Sequence, residues 1–309
     1  MEDTMNAVKR IAATIRAGPR LAPAPDHDAI RAYFAQTQDD YGRWSRDWNM
    51  HFGYWSRGMN PFDREAMLER MNVEASDALA LDPAAPAKVV DLGCGTGATA
   101  RSIARRYKRV EVTGVTLVHE QIQLGARLNR EAGLARRIGF VLSDFAGTWL
   151  GDASQDGGVA IESFCYAPGP GKYAALCEAA RILKPGARLV VVDGFLARGT
   201  PRGVLGWIYR RWCAGWSIPE LATLDEFTRA MRAAGFGDIE VRDIFRNVAV
   251  SAAHIPWVAF THTVRELWIH RGRLSAWRWR HIAASWLSVL LGLSKGTFRY
   301  CIVTARKKA

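Results

Sequence analysis

The sequence predicts an α/β fold, an open and largely parallel sheet with helices on both faces. Three observations carry that expectation. The run Lys88-Val89-Val90-Asp91 is short, apolar and rich in β-branched residues, and it stops at glycines on alternate positions, Gly93, Gly95 and Gly97. From residue 98 to 107 the period becomes helical, with Ala100, Ile103, Ala104 and Tyr107 on one face, so the glycines open a helix. A second strand over residues 110–115 and a helix opening near His119 complete a βαβα unit. The 309 residues, 49% of them hydrophobic, suit one large domain with appendages or two small ones.

Taken in order, residues 1–27 form a basic arm. Val8, Ile11, Ala12 and Ile15 share one side of a short amphipathic helix that carries Lys9, Arg10, Arg16 and Arg20 elsewhere, and Pro19, Pro23 and Pro25 then break the chain. The segment lacks the uninterrupted apolar core of a signal peptide, and it reads either as a mobile arm or as a lid. Residues 28–86 read as an N-terminal helical cap dense in rings, including Tyr33, Phe34, Tyr41, Trp44, Trp48 and the piece His51-Phe52-Gly53-Tyr54-Trp55. An amphipathic helix over residues 62–79 and the loop Asp82-Pro83-Ala84-Ala85-Pro86 lead into the central strand.

Glycines at a strand-to-helix turn let a ligand lie against bare backbone amides, and three ligand classes compete for such a turn. A phosphate loop needs Lys after its last glycine, and none follows Gly97. A dinucleotide loop is satisfied by Gly93, Gly95 and Ala98, but it needs an acid about 20 residues on, where the second strand ends at Thr116. Asp91-Leu92-Gly93-Cys94-Gly95-Thr96-Gly97 fits the third pattern, acidic-x-Gly-x-Gly-x-Gly. This resembles the first motif of the class I S-adenosylmethionine-dependent methyltransferases. The resemblance spans about residues 33–307 and implies a Rossmann-like, seven-stranded sheet with an antiparallel last strand, an N-terminal helical lid and a helical insertion before that strand.

The same resemblance implies the cofactor contacts. Asp91, Gly93, Gly95 and Gly97 form the loop. Most of the family has an acid at the position of Thr116, for the ribose hydroxyls. Here Gly-Val-Thr116-Leu117, followed four residues later by Gln121, resembles the sterol, tocopherol and cyclopropane-fatty-acid branch, and the Gln121 amide can both accept and donate. A third strand over residues 140–142 leads to Asp144 and Phe145, implied to meet the adenine amino group and ring. Asp144 could equally cap a following helix.

Residues 159–168 form the next strand and its exit. Ile161, Glu162, Cys165, Ala167 and Pro168 resemble the Ile-Glu-Ala-Thr-Cys-His-Ala-Pro segment of sterol methyltransferases, with Tyr166 in place of His. Glu162 stands at the carboxyl end of a parallel strand, where open sheets bind ligands, and is the first candidate for a base. Tyr54, His51 and Tyr166 follow it. His51-Phe52-Gly53-Tyr54-Trp55 itself resembles a stretch of the tocopherol, geranyl diphosphate and sterol enzymes.

A helix over residues 172–183 precedes Arg181-Ile-Leu-Lys-Pro-Gly186, which resembles a structural turn common in the family, and then a strand over residues 188–193. A helix over residues 224–234 and a strand over 239–241 close a core of residues 87–246. Residues 247–296 form an insertion, and residues 297–309 the last strand and a basic tail. The insertion concentrates the formal charge of +12: Arg265, Arg271, Arg273, Arg278, Arg280 and Lys295 oppose one acid, Glu266, among Trp257, Trp268, Trp277, Trp279 and Trp286. With no nucleic-acid module in the sequence, it reads as an acceptor-binding cap in peripheral contact with membrane, or as a packed helical pair with a solvated face. Its longest apolar stretch, residues 282–293, is far below the ~20 residues of a span. His254, His262 and Tyr300 are further candidates for the pocket.

Five widely spaced cysteines without a Cys-x-x-Cys pair suggest neither disulfides nor zinc, and a cytoplasmic setting, with or without membrane association. The expected activity is C-methylation of a hydrophobic isoprenoid or lipid-like small molecule through a carbocation that then loses a proton. A phenol or quinol ring as acceptor is the first alternative, and a non-catalytic lipid- or RNA-associated protein the second. Mg²⁺ is expected only with a diphosphate acceptor, and the sequence carries no signal for an oligomeric state.

Overall fold

A computed structural model of the chain describes residues 27–294 and 296–309. The amphipathic helix and proline linker expected in the basic arm lie outside the described residues. The cap comprises α1 (His27–Trp44) and α2 (Arg64–Ala78), the latter capped by Asp63, which accepts from Ala66 N. The core follows as β1 (Ala87–Leu92), α3 (Ala98–Arg106), β2 (Val110–Thr116), α4 (His119–Glu131), β3 (Ile138–Leu142) and β4 (Gln155–Ile161). It continues as α5 (Tyr173–Ile182), β5 (Leu183–Leu196), α6 (Gly203–Gly215), α7 (Leu224–Ala233) and β6 (Phe236–Asp243). Three helices, α8 (Phe245–Ala252), α9 (Ile255–Ile269) and α10 (Ala276–Gly292), precede β7 (Phe298–Lys307).

The seven strands run in the order β3-β2-β1-β4-β5-β7-β6. β7 enters antiparallel between β5 and β6, in register Val191↔Val303. Side chains alternate across the pleat, and both faces are covered, so neighbouring residues feed two cores. Val90, Ala160, Val191 and Val303 pack on one face with Leu176 and Phe227. Val89, Val159, Val192 and Ile302 pack on the other with Ile103 and Met71.

The chain reverses its strand order at β1, which pairs with β2 on one side and β4 on the other, and this opens a crevice at their carboxyl ends. The insertion closes over that crevice, because α10 lies directly on α6. A Cβ on Gly215 would stand 2.5 Å from Ala284 Cβ, so only glycine lets the two helices approach so closely there.

Two local expectations change. Lys184-Pro185-Gly186 is no separate corner: β5 begins at Leu183 and passes through it as a bulge, with Gly186 at φ +81°. No helix follows Asp144, so it caps none; its carboxylate closes a local turn by accepting from Ala146 N at 2.8 Å. The stretch after residue 198, rich in Arg and Trp, contains the thirteen-residue α6.

Candidate active site

All three loop glycines are left-handed, Gly93 at φ +82°, Gly95 at +53° and Gly97 at +80°. Val115 O accepts from both Gly93 N and Cys94 N, which folds the loop back on β2. A Cβ on Gly93 would fall 2.3 Å from Ser163 Cβ, and Ser163 donates to Leu92 O at 2.6 Å, fastening the exit of β4 to the tip of β1. The Arg101 guanidinium, buried beneath the loop, donates to Thr96 O and to Asp47 O and so joins loop to cap.

Asp91 is 2% exposed, and its Oδ2 has no hydrogen-bond partner among the described residues. Burial raises its carboxyl to about 7, against the pull of the Ala100 amide and Arg101. Thr116 donates to Gln121 Oε1 at 2.6 Å, and the Gln121 amide nitrogen lies 3.7 Å from Met50 Sδ. The Leu117 carbonyl accepts from Arg31. Asp144 Oδ2 meets His27 Nε2 at 2.9 Å, so the first residue of α1 reaches the side chain expected to meet adenine. Phe145 stacks on Phe164 with ring centroids 5.5 Å apart.

Every cofactor candidate except Gly97 lines a single cavity of about 850 Å³, which runs on to the insertion helices. At its middle stands Glu162, a non-glycine residue at φ +49°, a strained conformation of the kind that gathers at functional sites. Its Oε1 accepts from Phe52 N at 2.7 Å and from the Tyr300 hydroxyl, while Oε2 accepts no hydrogen bond among the described residues. Burial raises its carboxyl to about 8, although both donors pull the other way. Asp193, at the same end of β5, accepts from Cys165 N and Gly194 N and is raised by burial to about 6.

The other catalytic candidates separate. Tyr166 lines the cavity, donates to Trp216 O at 3.2 Å and meets the Phe34 ring edge-on. His51 also borders the cavity, but its ring nitrogens lie 2.8 Å from Phe52 O and 3.0 Å from Asn72 Oδ1; its imidazole braces the cap, and burial lowers its pKa. Tyr54 is not brought to the cavity: its ring packs at the second core, beneath the Arg242 guanidinium. Tyr300 and His262 line the cavity, whereas His254 bonds to Pro61 O outside it.

Sequence reasoning missed Asp193, although its place at the end of a parallel strand is the signal that picked out Glu162. It also missed Met50 beside Gln121 and the polar clamp at the far end. There Arg278 bonds to both Asp40 and Glu266, with His262 and His281 within 3.6 Å of Asp40. Nothing local in the sequence marks either. Among the described residues no group of three or more His, Cys, Asp and Glu side chains is placed to hold a metal ion.

The family model described as "Methyltransferase domain" matches residues 89–186. The chain is 32% identical over 200 residues to an O-methyltransferase of Pyrenophora dematioidea, covering 64% of this chain and 72% of that one. It is 26% identical over 285 residues to the probable chloroplastic tocopherol O-methyltransferase of Oryza sativa subsp. japonica, covering 86% of this chain and 75% of that one. In fold it resembles geranyl diphosphate C-methyltransferase from Streptomyces coelicolor A3(2), solved with Mg²⁺, geranyl diphosphate and S-adenosyl-L-homocysteine. That match has a TM-score of 0.67 at 18% identity and covers 92% of this chain and 100% of the other.

Proposed function

The chain belongs to the S-adenosylmethionine-dependent methyltransferases, and from that premise we propose that it methylates a hydrophobic small molecule of isoprenoid or phenolic type, with Glu162 receiving the proton released. The observation that carries this reading is electrostatic. Asp91, Glu162 and Asp193 line one cavity, the first and last buried and Glu162 half-buried, and none forms an ion pair among the described residues. Carboxyls raised to about 7, 8 and 6 await a positive charge, which would favour their ionised forms.

The residues present fit the cofactor. The glycine loop offers a cradle without side chains, Asp91 Oδ2 an unused buried acceptor, and Gln121 a buried amide able to meet ribose hydroxyls. Asp144 and Phe145 are placed to read adenine, with His27 adjusting its contact to Asp144. Bound there, S-adenosylmethionine supplies a methyl carbon already activated by its sulfonium.

The chain's own part is to orient the acceptor, exclude water and take up a proton. The rings of Phe34, Tyr41, Trp48, Tyr166, Trp212 and Trp216 border the cavity and give the acceptor an apolar, π-rich wall. An alkene acceptor methylated on carbon would develop positive charge that those faces stabilise. The free Oε2 of Glu162 would then accept the proton, with Tyr300 and the Phe52 amide fixing the carboxylate by Oε1. Carbon is therefore our first reading of the methylated atom.

The relative from Pyrenophora dematioidea, named an O-methyltransferase, favours hydroxyl oxygen as the second reading. Glu162 keeps its role there, taking the hydroxyl proton. A diphosphate acceptor with Mg²⁺ is the least supported. Of the arginines along the cavity, Arg43 lies beside Asp40 and Glu266, Arg64 donates to Trp44 O while stacking on its ring and Arg299 lies beside Asp243, which leaves Arg265 without a carboxylate partner among the described residues.

The test is transfer of labelled methyl from S-adenosylmethionine to isoprenoids, phenols, quinols and isoprenyl diphosphates, with NMR of the product. A new C–CH3 group supports the first reading and a new O–CH3 group the second. Transfer confined to diphosphates, or no transfer to any of these classes, contradicts the proposal.

A further inference from the structure

The outward face of α9 is apolar, and nothing among the described residues covers it. Trp257, Phe260, Val264 and Trp268 follow one another at spacings of three, four and four, which places them on one stripe of the helix. They are 67, 53, 51 and 82% exposed. The opposite side of the helix, with Ile255, Ala259 and Glu266, is the buried one. A surface helix ordinarily turns its polar stripe to water, whereas α9 presents an apolar stripe to solvent as well as burying one.

The charge around the stripe has one sign. Arg265 on the flank of α9, Arg271 and Arg273 in the turn beyond it and Arg280 on α10 are all exposed, and no carboxylate pairs with them among the described residues. Glu266, the acid of this region, is buried against Arg278. The cavity opens at the same place, since Trp257 and Leu293, which is 72% exposed, are both lining residues.

We propose that this face docks on the surface of an anionic lipid bilayer, the tryptophans at headgroup depth and the arginines on lipid phosphate, with the cavity mouth facing the lipid. The hydrophobic acceptor then passes from bilayer to active site without crossing water. This rests on the reading of the cavity as the site of a hydrophobic acceptor, and adds where that acceptor comes from. No helix among the described residues is long and apolar enough to cross a membrane, so the contact is interfacial. A second copy of the chain is disfavoured as occupant, because pairing this face with itself brings the arginines together.

Co-sedimentation of the full chain with vesicles, read without turnover, tests the docking. We expect binding to mixed phosphatidylcholine and phosphatidylglycerol vesicles, little to phosphatidylcholine alone, and weakening with added salt. Two double variants, Val264→Ser with Trp268→Ser and Arg271→Glu with Arg273→Glu, should each lower that binding about tenfold or more while leaving S-adenosylmethionine affinity unchanged. Failure of the wild-type chain to bind anionic vesicles overturns the proposal. So does binding that neither variant weakens, or a dimer in sedimentation velocity that the Val264/Trp268 variant abolishes in a chain that ignores vesicles. Methyl transfer to a micellar hydrophobic acceptor without vesicle binding would sink the docking and leave the reading of the site standing. Vesicle binding without transfer to any hydrophobic acceptor would do the reverse.

Discussion

At the nucleoside end of the cavity the loop itself is built from contacts short in sequence, folding on Val115 while Thr116 reaches Gln121 five residues away, and α1 adds Arg31 and His27 at its rim. At the acceptor end Glu162 takes one hydrogen bond from Phe52, 110 residues earlier, and another from Tyr300, 138 residues later. Arg278 closes the far wall on Asp40 across 238 residues. The first end is a glycine turn set by one strand, with cap residues added around it. The second exists only when cap, core and insertion are packed together. The donor site should therefore survive lesions that disable the acceptor site.

Glu162→Gln carries the largest expected effect. It keeps the shape and the hydrogen-bonding carbonyl but removes the base, so turnover should fall about 10²- to 10⁴-fold with S-adenosylmethionine affinity little changed. Unchanged turnover would end the case for Glu162. Next comes Arg278→Met, which leaves Asp40 and Glu266 buried without their cation. It should cost about 3 kcal/mol in denaturant unfolding and impair acceptor binding more than donor binding. Equal loss at both ends would erase the contrast drawn above.

Gly93→Ala strikes the other end. It forces a side chain into the left-handed region and against Ser163, and strain of about 1–3 kcal/mol should weaken S-adenosylmethionine binding ten- to a hundredfold in calorimetry. Full affinity in that variant would mean that the loop is no cradle. The smallest effect belongs to Tyr300→Phe. The hydroxyl stabilises the ionised form of Glu162, so its loss should move the carboxyl above about 8 and shift the rising limb of kcat/KM to higher pH. A limb that stays in place would show that Tyr300 does not tune the carboxyl.

The same contrast explains what could be read from the sequence. The first two strands, the helix between them and the glycine turn were legible because β-branched runs, glycines and helical periods are local signals, whereas the count of seven strands and the antiparallel last one came from the family resemblance. Glu162 drew attention by its place at a strand end, and the same rule covers Asp193. Tyr54 was misplaced because its neighbours in sequence do not reveal which face of the cap meets Arg242. His51 lines the cavity as expected, but its two ring bonds depend on Asn72 in another helix. The outward stripe on α9 is visible as tryptophans in the sequence, yet which side of that helix is buried follows from packing alone.

The central claim is that three carboxyls without ion-pair partners, Asp91, Glu162 and Asp193, shape the cavity for a cationic methyl donor. Calorimetric binding of S-adenosylmethionine and of S-adenosylhomocysteine, compared between pH 6 and 9 in buffers of different ionisation heat, tests it most directly. The donor should release protons on binding and tighten as pH rises through the range where Asp91 and Glu162 ionise, whereas S-adenosylhomocysteine, which keeps the α-amino group but lacks the sulfonium charge, should do both to a smaller extent. Identical proton release and identical pH dependence for the two ligands would contradict the claim.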